Sequence, residues 1–353
     1  MPKNKRFERR IQNIPSEIWS NISEIDVIKG RWIEGARLSP QVVGWLKKSV
    51  LSSSTGASTR IEGAKLTDEE VERLMQGIKI QKFVDRDAQE ARGYYEILKN
   101  VFDSHKTIKF SESSIRHLHK ELLKYVEKDQ HHLGEYKKTE NKVVAFDEKG
   151  KVVGVIFEPT PPYLVAKEMQ ELVDWTKKAL NEKGINPLIT IGNFLVEFLQ
   201  IHPFQDGNGR LSRILTNLLL LQQGFSYVQY ISHEKLVEDN KNDYYLALRR
   251  SQKTFRAKRE TIVPWLEFFL GVFLKQSEMA IDLLEKEDIE KFLSVKQLAV
   301  WRYFLEKEEA APSEISKKTK VARPTVNQAL DKLIKLKKVE RIGEGRGTRY
   351  RKL

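Results

Sequence analysis

Residues 188–201 constrain the fold more than any other stretch. They are almost wholly apolar, with Ile191, Phe194, Leu195, Val196, Phe198 and Leu199 distributed all round a helical wheel. A helix of that kind belongs at the centre of a protein, not on its surface. It ends at His202-Pro203-Phe204-Gln205-Asp206-Gly207-Asn208-Gly209-Arg210, followed by Arg213. A titratable base is thus followed, four residues on, by a carboxylate, a Gly-Asn-Gly turn and two arginines three apart. Glycines admit backbone conformations closed to other residues, so consecutive N–H groups can converge on an anion. A helix starting at the turn adds its own N-terminal N–H groups and dipole. Arg210 and Arg213 then share one face, suited to bidentate phosphate contacts. Leu211, Ile214, Leu215, Leu218 and Leu219 anchor another face. His202 is placed as a proton acceptor, and Asp206 as a ligand for a hard cation. The same residues also describe an ordinary Gly-rich connection between two helices. Chemistry alone leaves both readings open.

Charge is unevenly spread along the 353 residues. The net charge is +13; residues 1–13 carry +4 and residues 291–353 carry +10, so the 277 between them carry −1. Basicity belongs to the two ends, above all the C-terminal one. The length implies two or three domains, and an apolar fraction of 40% supports real cores. No run of eighteen apolar residues occurs and no apolar signal region follows the basic start, so no membrane span is expected. Without cysteine there is no disulfide, thiol nucleophile or thiolate metal site. A cytoplasmic protein fits best.

In chain order, Trp19, Ile22, Ile25, Ile28, Trp32 and Ile33 recur at helical spacing, and Pro40 suits the first turn of a second helix with Val42, Val43, Trp45 and Leu46. The turn formers Ser52–Ser58 predict a loop. After it, Thr59 and Glu62 have capping-box spacing, as do Thr67 and Glu70, which open a helix to about Phe83. Further helices are expected over 86–102 and 111–128. His117, His119, His131 and His132 lack a partnering carboxylate pattern and read as solvated or capping residues. The strands Val143–Phe146 and Val152–Phe157 flank Asp147–Gly150 and predict a hairpin. A helix with Val165, Met169, Leu172 and Trp175 follows. Tyr244 and Tyr245 lie on a later helix, where core packing is the plain reading. Three helices near 295–305, 312 and 325–336, with two strands around Gly343, Gly345 and Gly347, read as a winged helix–turn–helix. Its +10 is the footprint of a duplex binder, though a protein-interaction or dimerisation module carries the same pattern.

The string from His202 to Arg213 resembles the Fic (Fido-fold) signature H-P-F-x-[D/E]-G-N-G-R-x-x-R at every fixed position. Ser58, Glu62 and Gly63 match the [S/T]-x-x-x-E-[G/N] motif of the autoinhibited members. Gly134-Glu135-Tyr136-Lys137 is similar to the family's lead-in, with lysine where arginine is common, and Pro159–Pro162 also fits. The resemblance implies a mainly α fold: an N-terminal helical inhibitory region (1–107), a Fic catalytic core with a β-hairpin flap (108–285) and a C-terminal winged helix (286–353). It implies a protein adenylyltransferase that moves AMP from ATP to a Ser, Thr or Tyr hydroxyl of a target and of itself. His202 would be the base; Gly207, Asn208, Gly209, Arg210 and Arg213 would hold the phosphates. Asp206 would hold Mg²⁺ or Mn²⁺, Tyr245 or Tyr244 would pack the adenine, and Glu62 would pair with Arg213 to block the γ-phosphate. The flap at 143–157 would pair with an extended target segment, and a homodimer is expected. Two rival functions remain: removal of AMP from a modified protein, and a DNA-binding regulator whose core senses nucleotide.

Overall fold

The computed structural model describes residues 5–35, 40–76, 86–141, 143–146, 152–182, 184–336, 338–343 and 345–353. Mainly helical as expected, it divides into two compact units, Met1–Ala280 and Ile281–Leu353. The first unit begins with helices α1 (Lys5–Arg9), α2 (Ser16–Gly35), α3 (Pro40–Ile61), α4 (Asp68–Met75), α5 (Arg86–Ser104) and α6 (Glu112–Leu123). Strands β1 (Val143–Phe146) and β2 (Val152–Phe157) follow, then α7 (Pro162–Glu182), α8 (Pro187–Ile201), α9 (Asn208–Gln222), α10 (His233–Asp239) and α11 (Lys241–Gln252). Helix α12 (Val263–Phe292) runs unbroken through the charged stretch 283–289.

The apolar run became the central helix. Asn186 caps α8 by accepting the Leu188 N–H, Pro187 occupies the first turn, and every residue from Leu188 to Leu199 is buried. Glu197 in that interior would be an uncompensated charge. Arg10, 3% exposed, answers it: Nη1 meets Glu197 Oε2 at 2.5 Å while Nε and Nη2 bond to Asn193. Arg6 reaches Glu197 and Glu260. Basicity at this end is therefore spent within the core. The next helix, α9, is also buried nearly all round, so the two arginines that share one of its faces lie inside. They need internal counter-charges.

The loop expected over Ser52–Ser58 is instead the second half of α3. Small side chains there are buried and bond within the fold. Thr55 and Thr59 hydroxyls donate to the carbonyls of Leu51 (2.7 Å) and Thr55 (3.0 Å), and Ser54 meets Ser232 at 2.8 Å. Tertiary packing of a small-residue face outweighs the turn preference of serine and glycine. Consequently Thr59 and Glu62 form no N-terminal capping box. They sit at a helix end, where Ala64 N–H bonds Thr59 O and Gly63 N–H bonds Arg60 O, with Gly63 at φ 104°. This is a Schellman stop, and Glu62 is its C-cap. The second box is real: Thr67 and Glu70 bond reciprocally at the start of α4. The rest of the helix expected to Phe83 lies outside the described residues.

Strands β1 and β2 pair antiparallel, Val143 opposite Phe157 and Phe146 opposite Val152, with the turn residues outside the described set. Gly93 brings α5 against the Leu122 carbonyl of α6 more closely than any Cβ allows.

The second unit contains α13 (Val295–Glu306), β3 (Glu309–Ala310), α14 (Pro312–Thr319), α15 (Arg323–Lys335), β4 (Val339–Ile342) and β5 (Arg349–Lys352). Its strands form one antiparallel sheet in the order β3-β5-β4. Val300, Phe304, Ile315, Val326, Leu330 and Leu333 make its core. Among the described residues no helix is long and apolar enough to cross a membrane.

Candidate active site

His202 ends α8 in the left-handed region at φ 50°, with its N–H bonded to Phe198 O at 2.9 Å. A non-glycine residue there costs free energy that the surroundings must supply. Three groups of contacts hold the loop that follows. Asn208 closes it: Oδ1 accepts the Phe204 N–H (2.9 Å) and Nδ2 donates to Phe204 O (2.8 Å). Beneath it lies His119, fully buried, its ring stacked on Phe204 at 3.8 Å and 6°. Gly134 N–H donates to His119 Nδ1, so the proton is on Nε2, which reaches the Asp206 carbonyl at 3.0 Å. The surface role expected for His119 is therefore wrong; His117, His131 and His132 are exposed. Beside the loop runs a strap. Lys137 N–H bonds Pro203 O (2.9 Å), Thr139 Oγ1 bonds Gln205 Oε1 (3.0 Å) and Asn141 Nδ2 bonds Phe204 O (3.2 Å). Lys137 Nζ adds the Ile201 carbonyl (3.3 Å).

Gly207, at φ 76°, turns the chain into α9, whose first N–H groups have no intrahelical acceptors. Above them is an anion that the protein supplies itself. Glu62 Oε1 accepts from Arg213 Nη2 at 2.8 Å, while Arg213 Nε and Nη2 also donate to Ser58 Oγ (2.8 Å) and Ser58 O (3.0 Å). Glu62 lies so close to Gly209 that a Cβ there would collide with Oε1. Burial works against the carboxylate, but the Arg213 and Arg210 guanidiniums outweigh it and hold Glu62 below the usual range. Arg213 itself is pushed up: burial opposes its charge, and Glu62 overrides that. Asp206 accepts from Arg210 at 3.0 Å and from Arg86 at 2.5 Å. Burial raises its proton affinity, yet Arg210, the Gly207 N–H and Arg86 bring it down on balance.

The structure thus brings Ser58, Glu62, Gly63, Asp206, Gly207, Asn208, Gly209, Arg210 and Arg213 to one turn, beside His202. Asn208 spends its side chain on the loop, leaving only its backbone N–H for a ligand. Tyr244 is buried among Trp265, Phe268 and the Arg213 side chain, and Tyr245, half-exposed, points its hydroxyl at Ile61 O, 3.4 Å away. Four contributors went unnoticed in the sequence. His119 looked like a surface histidine, and Arg86 and Glu90 are an unremarkable i,i+4 pair on α5. Glu234 lies beyond them, fully buried and accepting from Tyr94 (2.8 Å) and Asn217 (2.7 Å) behind Arg213.

Burial lowers His119 and His202 to about 4, and lowers His233 as well. For His202 the Lys137 charge adds to burial. All three stay neutral in the folded protein at pH values where an unfolded chain would protonate them. The unfolded state then binds more protons, so stability falls as pH drops below about 6.5, by up to about 1.4 kcal/mol per pH unit for each histidine. Thermal unfolding followed by circular dichroism from pH 7.5 to 4.5 should show that decline. His233→Gln should make it shallower; an unchanged slope would mean that His233 titrates alike in both states.

Residues 109–220 match the Fic/DOC family. The chain carries a Fic domain. Over 167 residues it is 31% identical to a probable protein adenylyltransferase of Aquifex aeolicus, covering 45% of this chain and 48% of that one. A protein adenylyltransferase of Caenorhabditis elegans, fic-1, is 32% identical over 95 residues, 26% of this chain and 17% of its own. The chain thus spans about half the length of the first of these relatives, and less of the second. The crystal structure of a Fic family protein from Desulfovibrio desulfuricans G20 shares the fold, with a TM-score of 0.61 over 97% of both chains at 22% identity.

Proposed function

We propose that this Fic protein is a protein adenylyltransferase, moving AMP from ATP to a Ser, Thr or Tyr hydroxyl of a target protein and of itself, with Glu62 as its brake. One observation carries the reading: a carboxylate of the chain already rests on Arg213 over Gly209, where a nucleotide phosphate would have to lie. Nη1 of Arg213, though buried, has no hydrogen-bond partner among the described residues. A buried guanidinium N–H left unmet costs about 1–3 kcal/mol, and a phosphate oxygen would satisfy it.

Phosphates would meet the N–H groups of Gly207, Asn208 and Gly209, with Arg210 and Arg213 on the β- and γ-phosphates. Asp206 would hold Mg²⁺ or Mn²⁺. No group of three or more His, Asp or Glu suits a metal among the described residues, but one carboxylate plus phosphate oxygens and water is enough for such a cation. When bound, it neutralises phosphate charge. His202, neutral at physiological pH, takes the proton from the target hydroxyl as that oxygen bonds to the α-phosphorus. The bond from this phosphorus to the bridging oxygen breaks, and the arginines stabilise departing pyrophosphate. Positioning and charge stabilisation supply the rate. The free edge of the β1–β2 hairpin would take an extended target segment through main-chain hydrogen bonds. Tyr245, beside Ile61, would flank the adenine.

The test is incubation with ATP, GTP, CTP and UTP, each labelled at the α-phosphorus. Protein-bound label is expected from ATP first. If the Glu62→Gly protein, well folded, takes label from none of the four, the transferase reading is overturned.

A second partner follows from the second unit, which we read as a winged helix docking duplex DNA. Lys317, Lys318, Lys320 and Arg323 surround the α14–α15 turn with exposed side chains, and Asn327 and Gln328 are exposed on α15. Such side chains at the start of a second helix suit phosphates and base edges. A gel shift with duplex DNA that survives Lys317→Ala and Arg323→Ala together would exclude this face.

A further inference from the structure

Four charged side chains at the motif turn form a closed ring of alternating sign. Arg86 Nη2 bonds Asp206 Oδ2 at 2.5 Å, and Arg86 Nε bonds Glu90 Oε1 at 2.7 Å. Glu90 Oε2 in turn pairs with Arg210 Nη1, and Arg210 Nη2 returns to Asp206 Oδ2 at 3.0 Å. Two of the four belong to the family signature and two to α5. Their burial differs sharply. The Arg210 side chain is 3% exposed and that of Glu90 9%, whereas Arg86 is 48% exposed. The ring therefore has a fixed inner edge and one corner in solvent.

The two α5 residues meet different demands. Arg210 cannot remain buried and charged without a permanent counter-ion. Asp206 is the carboxylate assigned to the cation, so it cannot be that counter-ion while a cation holds it. Glu90 can: its Oε2 pairs with Arg210 Nη1, a different nitrogen from the one that meets Asp206, and its side chain is nearly buried. Arg86 is placed the other way. It donates to the same Oδ2 that Arg210 uses, from the exposed corner, so a hard cation brought to that oxygen would stand against its guanidinium, like charge against like charge.

We propose that Glu90 is a positioning residue that keeps Arg210 aimed at the nucleotide phosphates, and that Arg86 occupies the cation's place on Asp206 and yields it when the metal–nucleotide pair arrives. Arg86 is then a second restraint on the site, acting on Asp206 as Glu62 acts on Arg213, from a different helix. Both roles presuppose a nucleotide-phosphate site at the motif turn, and cation binding can be read without any transfer taking place.

The experiment uses the full chain carrying Glu62→Gly, with α,β-methylene-ATP present and Mn²⁺ titrated by electron paramagnetic resonance. Arg86→Ala should lower the half-saturating Mn²⁺ concentration by about three-fold, the scale expected for a half-exposed ion pair. An unchanged or higher value overturns the competition at Asp206. Glu90→Gln keeps the shape and removes the charge; it should raise the KM for ATP by about ten-fold while leaving Mn²⁺ half-saturation within about two-fold. A fall in kcat at constant KM would mean that Glu90 only supports the fold, and would overturn its positioning role. If Mn²⁺ and the analogue bind to none of these proteins, it is the phosphate site itself that is wrong.

Discussion

Replacing His202 by Ala is expected to cut protein-bound label from ATP by a factor of about 10²–10⁴, the usual contribution of a positioned general base. Nucleotide binding should survive, because the phosphate contacts come from the turn and the arginines. The backbone complicates the choice of variant. His202 lies at φ 50°, where Ala is less at ease than His or Asn and the substitution costs about 1 kcal/mol on its own account. His202→Asn is the cleaner partner, since Asn tolerates the left-handed region but cannot serve as the base. Both variants should bind ATP in calorimetry and neither should label. Substantial labelling by His202→Asn would show that the proton goes elsewhere.

Glu62→Gly is expected to act in the opposite direction, raising self-labelling by about ten-fold or more, within the usual range for coupling between an effector group and a site. The geometry explains why the loss need not disturb the site. Arg213 keeps its bonds to Ser58 Oγ and O when the carboxylate goes, so its guanidinium remains aimed at the cradle. The helix end also survives, because the bonds of its stop are made by the backbone of residues 59, 60, 63 and 64. Glu62→Gln separates charge from bulk: it should give an intermediate rate, since the amide still fills the space over Gly209. Label incorporation by Glu62→Gly no greater than that of wild type would mean that the carboxylate is no brake.

Much of this was legible in the sequence, for identifiable reasons. The run 188–201 could only be a central helix, whereas the glycines, histidine and arginines after it left an anion site and a plain turn both open until the signature was matched whole. Glu62 was found through a motif, but its setting was misjudged. Ser52–Ser58 looks like a loop because serine, threonine and glycine favour turns locally; here their smallness, and hydroxyls that bond back to the helix, serve close packing instead. Local preference lost to a tertiary contact that no window of sequence contains. His119, Glu90 and Arg86 were missed for a related reason. A histidine on a mixed helix and an i,i+4 Arg–Glu pair are ordinary, and become informative only when folding sets them against Asp206 and Arg210. The ion pairs of Arg6 and Arg10 had the same cause, since their partners Glu197 and Glu260 lie about two hundred residues away.

The strap Lys137–Asn141 has a mechanical meaning. Lys137, Thr139 and Asn141 bond it to the loop between Ile201 and Gln205, and two residues later the chain enters β1. Holding the loop and leading into the hairpin fall to one short length of backbone, so the two are levers on a common pivot. On the proposed reading, a target main chain laid along the hairpin would bear on the same strap that holds the carbonyls of Ile201, Pro203 and Phe204 around His202. Grafting a foreign hairpin onto this scaffold would therefore retune the reaction centre along with the choice of partner, and the two properties would not be free to drift apart.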